Sequence, residues 1–122
     1  MTPADRGLPR TCRILRPSDF ARVYAARRSA AAGPLVVYTL PTAAGGPRLG
    51  LSVSRRIGNA VVRNRWKRHL REAFRLVRGD CPDDQDLVVV VRSGLPAEGA
   101  AALARTGRTL VALAARAARG RR

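Results

Sequence analysis

The stretch that decides the fold reads RLGLSVSRRIGNAVVRNRWKRHLREAFRLVRGDCPDDQDLVVVV, residues 48–91. Its opening alternates: Leu49, Leu51 and Val53 point one way, and Gly50, Ser52 and Ser54 the other. That predicts a strand over 48–54 with a small, polar, open face accessible to a ligand. Its end, Asp86–Val91, is a valine-rich apolar run, as an interior strand requires. Between them Val62, Trp66, Leu70, Ala73, Phe74 and Val77 recur every three or four residues, which predicts an amphipathic helix from near Asn59 to Arg78 with Trp66 in the core. Strand, helix and strand form a βαβ unit with parallel strands. The general preference, about 98%, is for a right-handed crossover.

Outward from that unit, residues 1–12 are polar, proline-containing and aperiodic, a flexible tail. Pro17-Ser18-Asp19 reads as a helix start, with Ser18 as cap and Asp19 at the positive end of the dipole. This first helix runs to about Arg28, with Phe20, Val23, Tyr24 and Arg27 on one side, until Ala31-Ala32-Gly33-Pro34 breaks it. Leu35–Leu40 reads as a strand and Pro41–Pro47 as a loop. Gly79–Gln85 is a second loop, whose three acids read as a solvated turn. A final alanine-rich helix covers 97–118, with Leu103, Leu110, Val111 and Leu113 inward and Arg105, Arg108, Arg116 and Arg119 outward. Gly107 weakens it by about 1 kcal/mol relative to alanine. The 122 residues make one domain: an α/β (α+β) two-layer sandwich, a small mixed sheet of three to four strands with about three helices in an αβββαβα-like order.

Charge narrows the function. The chain carries +16, from 24 basic and eight acidic residues. Residues 55–78 hold nine of those cations against one acid, Glu72. On the predicted helix Asn64, Arg65, Lys67, Arg68, Arg71, Arg75 and Arg78 occupy the arc opposite the apolar stripe, with Arg63 on its flank. A solvated helix intersperses Glu with Lys or Arg for pairing; this one is almost uniformly cationic, which points to a polyanionic partner. Lys67 is the one lysine in the chain, and arginine forks suit phosphate oxygens and base faces. A GC-rich genome also favours arginine, so composition alone does not separate RNA from DNA.

Nothing in the sequence reads as a protein active site. His69 is single and flanked by arginines, a polar surface residue rather than a general base; Ser52 and Ser54 have no neighbouring base in sequence. Cys12 and Cys81 show neither C-x-x-C nor Cys/His spacing, so no metal site is predicted. Reduced thiols, arginines interrupting any apolar N-terminal core and the lack of a run approaching the roughly 20 residues of a membrane span predict a cytoplasmic protein with no membrane contact.

The run Ser52-Val-Ser-Arg-Arg-Ile-Gly-Asn-Ala-Val-Val-Arg-Asn-Arg65, continuing through Trp66-Lys-Arg-His-Leu-Arg-Glu-Ala-Phe74, resembles the bacterial ribonuclease P protein family, whose hallmark is the Arg-Asn-Arg triplet, here Arg63-Asn64-Arg65. The likeness extends through Ser18–Tyr24, Leu35–Tyr38 and Asp86–Arg92, covering roughly residues 13–115. It implies an unusual left-handed βαβ crossover, against the general rule. It also implies a subunit of a ribonucleoprotein endoribonuclease that removes the 5′ leader of precursor tRNA. Catalysis then resides in an RNA subunit holding Mg2+, and the protein has no obligate protein partner. Carried over by motif, Arg55, Arg56, Asn59, Arg63, Asn64, Arg65, Lys67, Arg68 and Arg71 would bind the catalytic RNA. Phe20, Tyr24, Tyr38, Ser52 and Ser54 would line a cleft for the leader. For the aromatics core packing is the alternative, evenly balanced for Tyr24. Arg27-Arg28 stand where the family has a basic-glycine turn. A ribosomal or RNA-chaperone protein is the runner-up, and a DNA-compacting protein comes third.

Overall fold

The computed structural model describes residues 8, 10–42, 47–82 and 84–119. Its elements run α1 (Pro17–Ala25), β1 (Ser29–Ala32), β2 (Leu35–Pro41), β3 (Arg48–Val53), α2 (Ala60–Val77), β4 (Gln85–Val91) and α3 (Ala100–Ala118). Short 3-10 turns occupy Arg10–Cys12, Arg55–Ile57 and Arg78–Asp80. The order is the expected αβββαβα. The strands form one mixed sheet, β1-β2-β4-β3, in which only β3 and β4 are parallel. Strand β1 is not legible in Ser-Ala-Ala-Ala, which carries no β-branched residue; it exists because its backbone completes a hairpin with β2 around Gly33, whose φ of 55° suits glycine.

The hand of the crossover follows from stereochemistry. Leu49 turns its side chain toward α2, while its carbonyl accepts from the Ile14 amide at 2.8 Å on the edge away from β4. An L-residue viewed with its side chain forward and its chain running upward points its N–H and C=O to the right. Strand β4 therefore lies to the left of β3 with α2 in front. The crossover is left-handed, and the general rule fails here.

Helices α2 and α3 cover one sheet face. The core between them joins Leu35, Val37, Leu49, Leu87, Val89 and Val91 to Trp66, Leu70, Phe74, Leu110 and Leu113. Asn59 caps α2, accepting from the Val62 amide at 3.0 Å, and satisfies one of the four orphan amides of that helix start. Gly107 has a purpose the helix scale does not register: a Cβ there would meet Val77 Cγ1 at 2.7 Å and the Ala73 carbonyl at 3.4 Å. The missing side chain lets α3 approach α2.

Four expectations are corrected. The flexible tail does not extend to residue 12: Leu8 is 1% exposed, Cys12 is buried, and Arg13 donates to the Leu8 carbonyl from Nε at 3.1 Å and Nη2 at 2.9 Å. Residues 1–7 lie outside the described residues. Helix α1 ends at Ala25, and Arg27 takes a left-handed φ of 58°; Ser18 lies inside the helix, which Pro17 starts without a side-chain cap. The last helix begins at Ala100, not 97. Cys81 lies in the expected loop and is buried there; its thiol is pushed up to about 11 by that burial, with Asp80 adding to the shift, which keeps it protonated and unreactive.

Candidate nucleic-acid interface

Helix α2 divides as its sequence predicts. Trp66, Leu70, Ala73 and Phe74 are buried, with Val62 and Val77 packed at the margin. The Trp66 indole donates to the Gly94 carbonyl at 2.9 Å, so its one polar atom is satisfied inside. Across the helix Asn64, Arg68 and Arg75 are exposed, while Arg63, Arg65, Lys67, Arg71 and Arg78 are half-buried, their stems lying along the surface.

Within this face the cations are not equivalent. Arg63 folds back to donate to the Gly58 carbonyl at 3.2 Å and Arg78 to the Pro47 carbonyl at 3.2 Å. Arg75 is paired with Glu72, which raises the guanidinium and lowers the carboxyl from their ordinary values. Arg65 donates to Glu98 at 2.6 Å, across to the loop that precedes α3. Lys67 and Arg71 line a small recess of about 130 Å³ with Phe20, Leu49 and Leu51, which joins the basic helix to α1 around the β3 edge. Asn59 commits its carboxamide oxygen to the cap; its NH2 half remains for a ligand.

His69 is not the polar surface residue expected. It is half-buried against α3, with Nε2 2.8 Å from Thr106 Oγ1 and its ring edge-on to Trp66 at 6.1 Å. Burial lowers its pKa, so the neutral imidazole is the form the fold selects.

The other sheet face is not simply open. Helix α1 lies across part of it, and Ile14, Val23 and Val88 form a second small core with Phe20, Tyr24, Tyr38, Leu40 and Val90 at its edge. The Phe20 ring rests on Gly50: a Cβ there would lie 2.9 Å from ring carbons. Tyr24 and Tyr38 meet edge to face at 5.0 Å, and Phe20 and Tyr24 lie 6.5 Å apart. All three aromatics are half-buried, packed against the second core at its edge.

Ser52 and Ser54 line a separate cleft of about 620 Å³ with Arg56, Ile57, Val90 and Arg92. Val90 belongs to both groups and pairs in register with Ser52, so aromatics and serines form one strip across the sheet. Arg56, which the resemblance gives to the catalytic RNA together with Arg55, lines this cleft from the 3-10 turn at Arg55–Ile57 that precedes α2. Arg92 also belongs to the strip and escaped notice, since it follows the last strand alone; its guanidinium donates to the Gly33 carbonyl at 2.6 Å.

The acids are mostly occupied. Asp19 pairs with Arg22 at 3.0 Å and Asp86 is buried beneath a two-bond clamp from Arg48, both at 2.7 Å; Glu72 and Glu98 hold Arg75 and Arg65. Among the described residues no group of three His, Cys, Asp or Glu could hold a metal ion. Magnesium needs several oxygen ligands in near-octahedral array, and these residues do not fit one. No helix among the described residues is long and apolar enough to cross a membrane.

Fold and surface together define a small, strongly basic α/β sandwich with a left-handed crossover, an arginine-faced helix and a shallow aromatic–serine strip behind it. Residues 8–115 match the family model for ribonuclease P, and the chain belongs to that family, as the protein component of the enzyme. The ribonuclease P protein component of Desulfovibrio desulfuricans is 41% identical over 114 residues, covering 92% of this chain and 87% of that one. The Lactococcus lactis component is 41% identical over 88 residues, 72% of this chain and 74% of that one. Among solved structures, the Thermotoga maritima RNase P protein superposes with a TM-score of 0.61 at 34% identity, covering 66% of this chain and 73% of that one. A Staphylococcus aureus RNase P protein mutant with defective mRNA degradation activity gives 0.62 at 39% identity, covering 66% and 69%. Membership makes the chain a subunit of a ribonucleoprotein endoribonuclease that works in tRNA processing and associates with an RNA subunit.

Proposed function

We propose that this subunit binds the catalytic RNA through α2 and the 5′ leader of precursor tRNA along the aromatic–serine strip, promoting Mg2+-dependent leader removal in the cytoplasm. The observation that carries the reading is a helix whose side opposite the buried stripe presents Arg65, Lys67, Arg68, Arg71 and Arg75 against one acid, Glu72, in a domain whose described residues offer no paired acid and base. Arg63, Asn64, Arg65, Lys67, Arg68 and Arg71, with Arg55 and Asn59 at the helix entrance, neutralise phosphates and release their counterions. Lower repulsion there eases the approach of the leader and of the metal ions. Those ions belong to the RNA, because the described carboxylates are largely engaged by arginine and form no cage. Phe20, Tyr24 and Tyr38 offer ring faces for stacking, worth about 1–3 kcal/mol per base and tolerant of sequence. Ser52, Ser54 and Arg56 supply hydrogen bonds to the strand beside them.

The test is reconstitution. Purified protein added to its genome's RNA subunit and precursor tRNA at low Mg2+ should accelerate leader removal. The protein alone should cleave neither precursor tRNA nor an mRNA; the latter substrate matters because of the Staphylococcus variant. Cleavage by RNA-free protein, abolished by a point substitution, would overturn the assignment of catalysis to RNA.

A further inference from the structure

The outward face of α3 carries a second, separate cationic surface. Exposed positions along this helix are occupied by alanine and arginine alone: Ala100, Ala101, Ala104, Ala112, and Arg105, Arg108, Arg116 and Arg119 at its end. At 100° per residue the four arginines fall within about a quarter-turn of one another, so they make a single stripe. From Arg105 to Arg119 that stripe is about 21 Å long at 1.5 Å per residue. Helix α3 contains no Asp or Glu, and none of the four guanidinium groups has a hydrogen bond or ion pair with a described residue.

Ordinary causes do not account for it. A solvated helix gains from acid–base pairs four residues apart, and here each arginine faces others like it. The helix dipole favours cations in the last turn, which covers Arg116 and Arg119 but not Arg105 and Arg108, in the first half of the helix. A genome bias toward arginine explains its choice over lysine, not the absence of acids. Alanine between the cations keeps the surface flat, so a phosphate backbone can come close to the helix without displacing side chains.

We infer that the α3 stripe is a second phosphate-docking surface, seated on the RNA subunit of the enzyme. This rests on the proposed function. The choice of the RNA subunit over the substrate follows from placement. Helix α3 packs beside α2 on one sheet face, whereas the aromatic–serine strip lies on the other face. A leader in that strip runs behind the sheet from α3, and an RNA seated on α2 lies on the α3 side.

The experiment compares Arg105→Gln/Arg108→Gln with Arg65→Ala/Arg68→Ala, measuring affinity of the full-length protein for the RNA subunit at several salt concentrations. Glutamine keeps helix propensity and removes charge, and thermal melts check that each variant folds. If both α3 cations meet phosphate, the slope of log affinity against log salt flattens by about 1.4–1.8, with preference for leader length unchanged. An unchanged slope for the α3 pair beside a flattened one for the α2 pair overturns the inference and leaves the proposed function standing. Unchanged slopes in both pairs overturn the proposed function itself. Normal assembly with weakened capture of precursor tRNA by the assembled enzyme overturns the choice of partner and assigns the stripe to the tRNA body.

Discussion

Arg65 is both the last residue of the family triplet and one half of an exposed ion pair with Glu98. A surface pair of this kind contributes only about 0–1 kcal/mol to folding, so RNA phosphate can displace the carboxylate at little cost. Glu98→Gln should therefore strengthen binding to the RNA subunit, by about 1 kcal/mol at most, without changing the melting temperature; weaker binding would mean that Glu98 positions Arg65 instead of competing for it. Thr39 presents a different residue-scale case. Its hydroxyl is fully buried and has no partner among the described residues, a loss of about 1–3 kcal/mol for an unpaired polar group. Thr39→Val keeps the shape and removes the hydroxyl, and should raise stability by about 1 kcal/mol in denaturant melts. Trp66→Ala should cost about 3–5 kcal/mol, since it empties a core site and leaves the Gly94 carbonyl unpaired.

Between elements, the α2–α3 contact is the sharpest joint. By helix propensity Gly107→Ala should stabilise α3 by about 1 kcal/mol. The 2.7 Å approach of a Cβ to Val77 reverses the sign: either Val77 moves or the helices separate. We expect a net loss of about 1–3 kcal/mol, as for overpacking, largely restored by the double substitution Gly107→Ala/Val77→Ala. A more stable single variant would show that the joint is loose. On the opposite face, Phe20→Ala and Tyr38→Ala test the strip. Each should weaken binding of substrates with leaders of several nucleotides by about 1–3 kcal/mol, with mature tRNA little affected. Because Phe20 also packs on Gly50, melts must accompany the titrations; a loss shared equally by both ligands would reduce these rings to packing.

For the whole molecule, acid acts in two windows. His69 has a folded pKa below its ordinary 6.5, so the unfolded chain binds the proton more readily; the stability this group contributes is complete above 6.5 and is lost as pH falls below it. Glu72 is held below its ordinary 4.5 by Arg75, and its contribution, complete above 4.5, is lost as pH falls through the folded value. Melting temperature should fall from pH 7.5 to 5.5, and His69→Gln should flatten that slope while leaving the lower window intact. A net charge of +16 deepens the first window, since each added proton meets other cations.

Periodicity carried α2, β4 and the division of α2 into buried and cationic faces, because both depend on residue spacing within one element and on a strong contrast between valine or leucine and arginine. The ordered run from Ser52 to Phe74 carried the family. Four features depended on tertiary structure. Strand β1 has no side-chain signal and forms by backbone pairing alone. Leu8 and Cys12 are core residues only because the β3 edge binds the segment beside them. Arg56 lines the serine cleft from the 3-10 turn that precedes α2. Gly107 reads as a weakness within its own helix and becomes a requirement only when α2 lies against it. Spacing along the chain records which face a residue takes; what meets that face is decided by segments distant in sequence, through packing and backbone hydrogen bonds that no local pattern encodes.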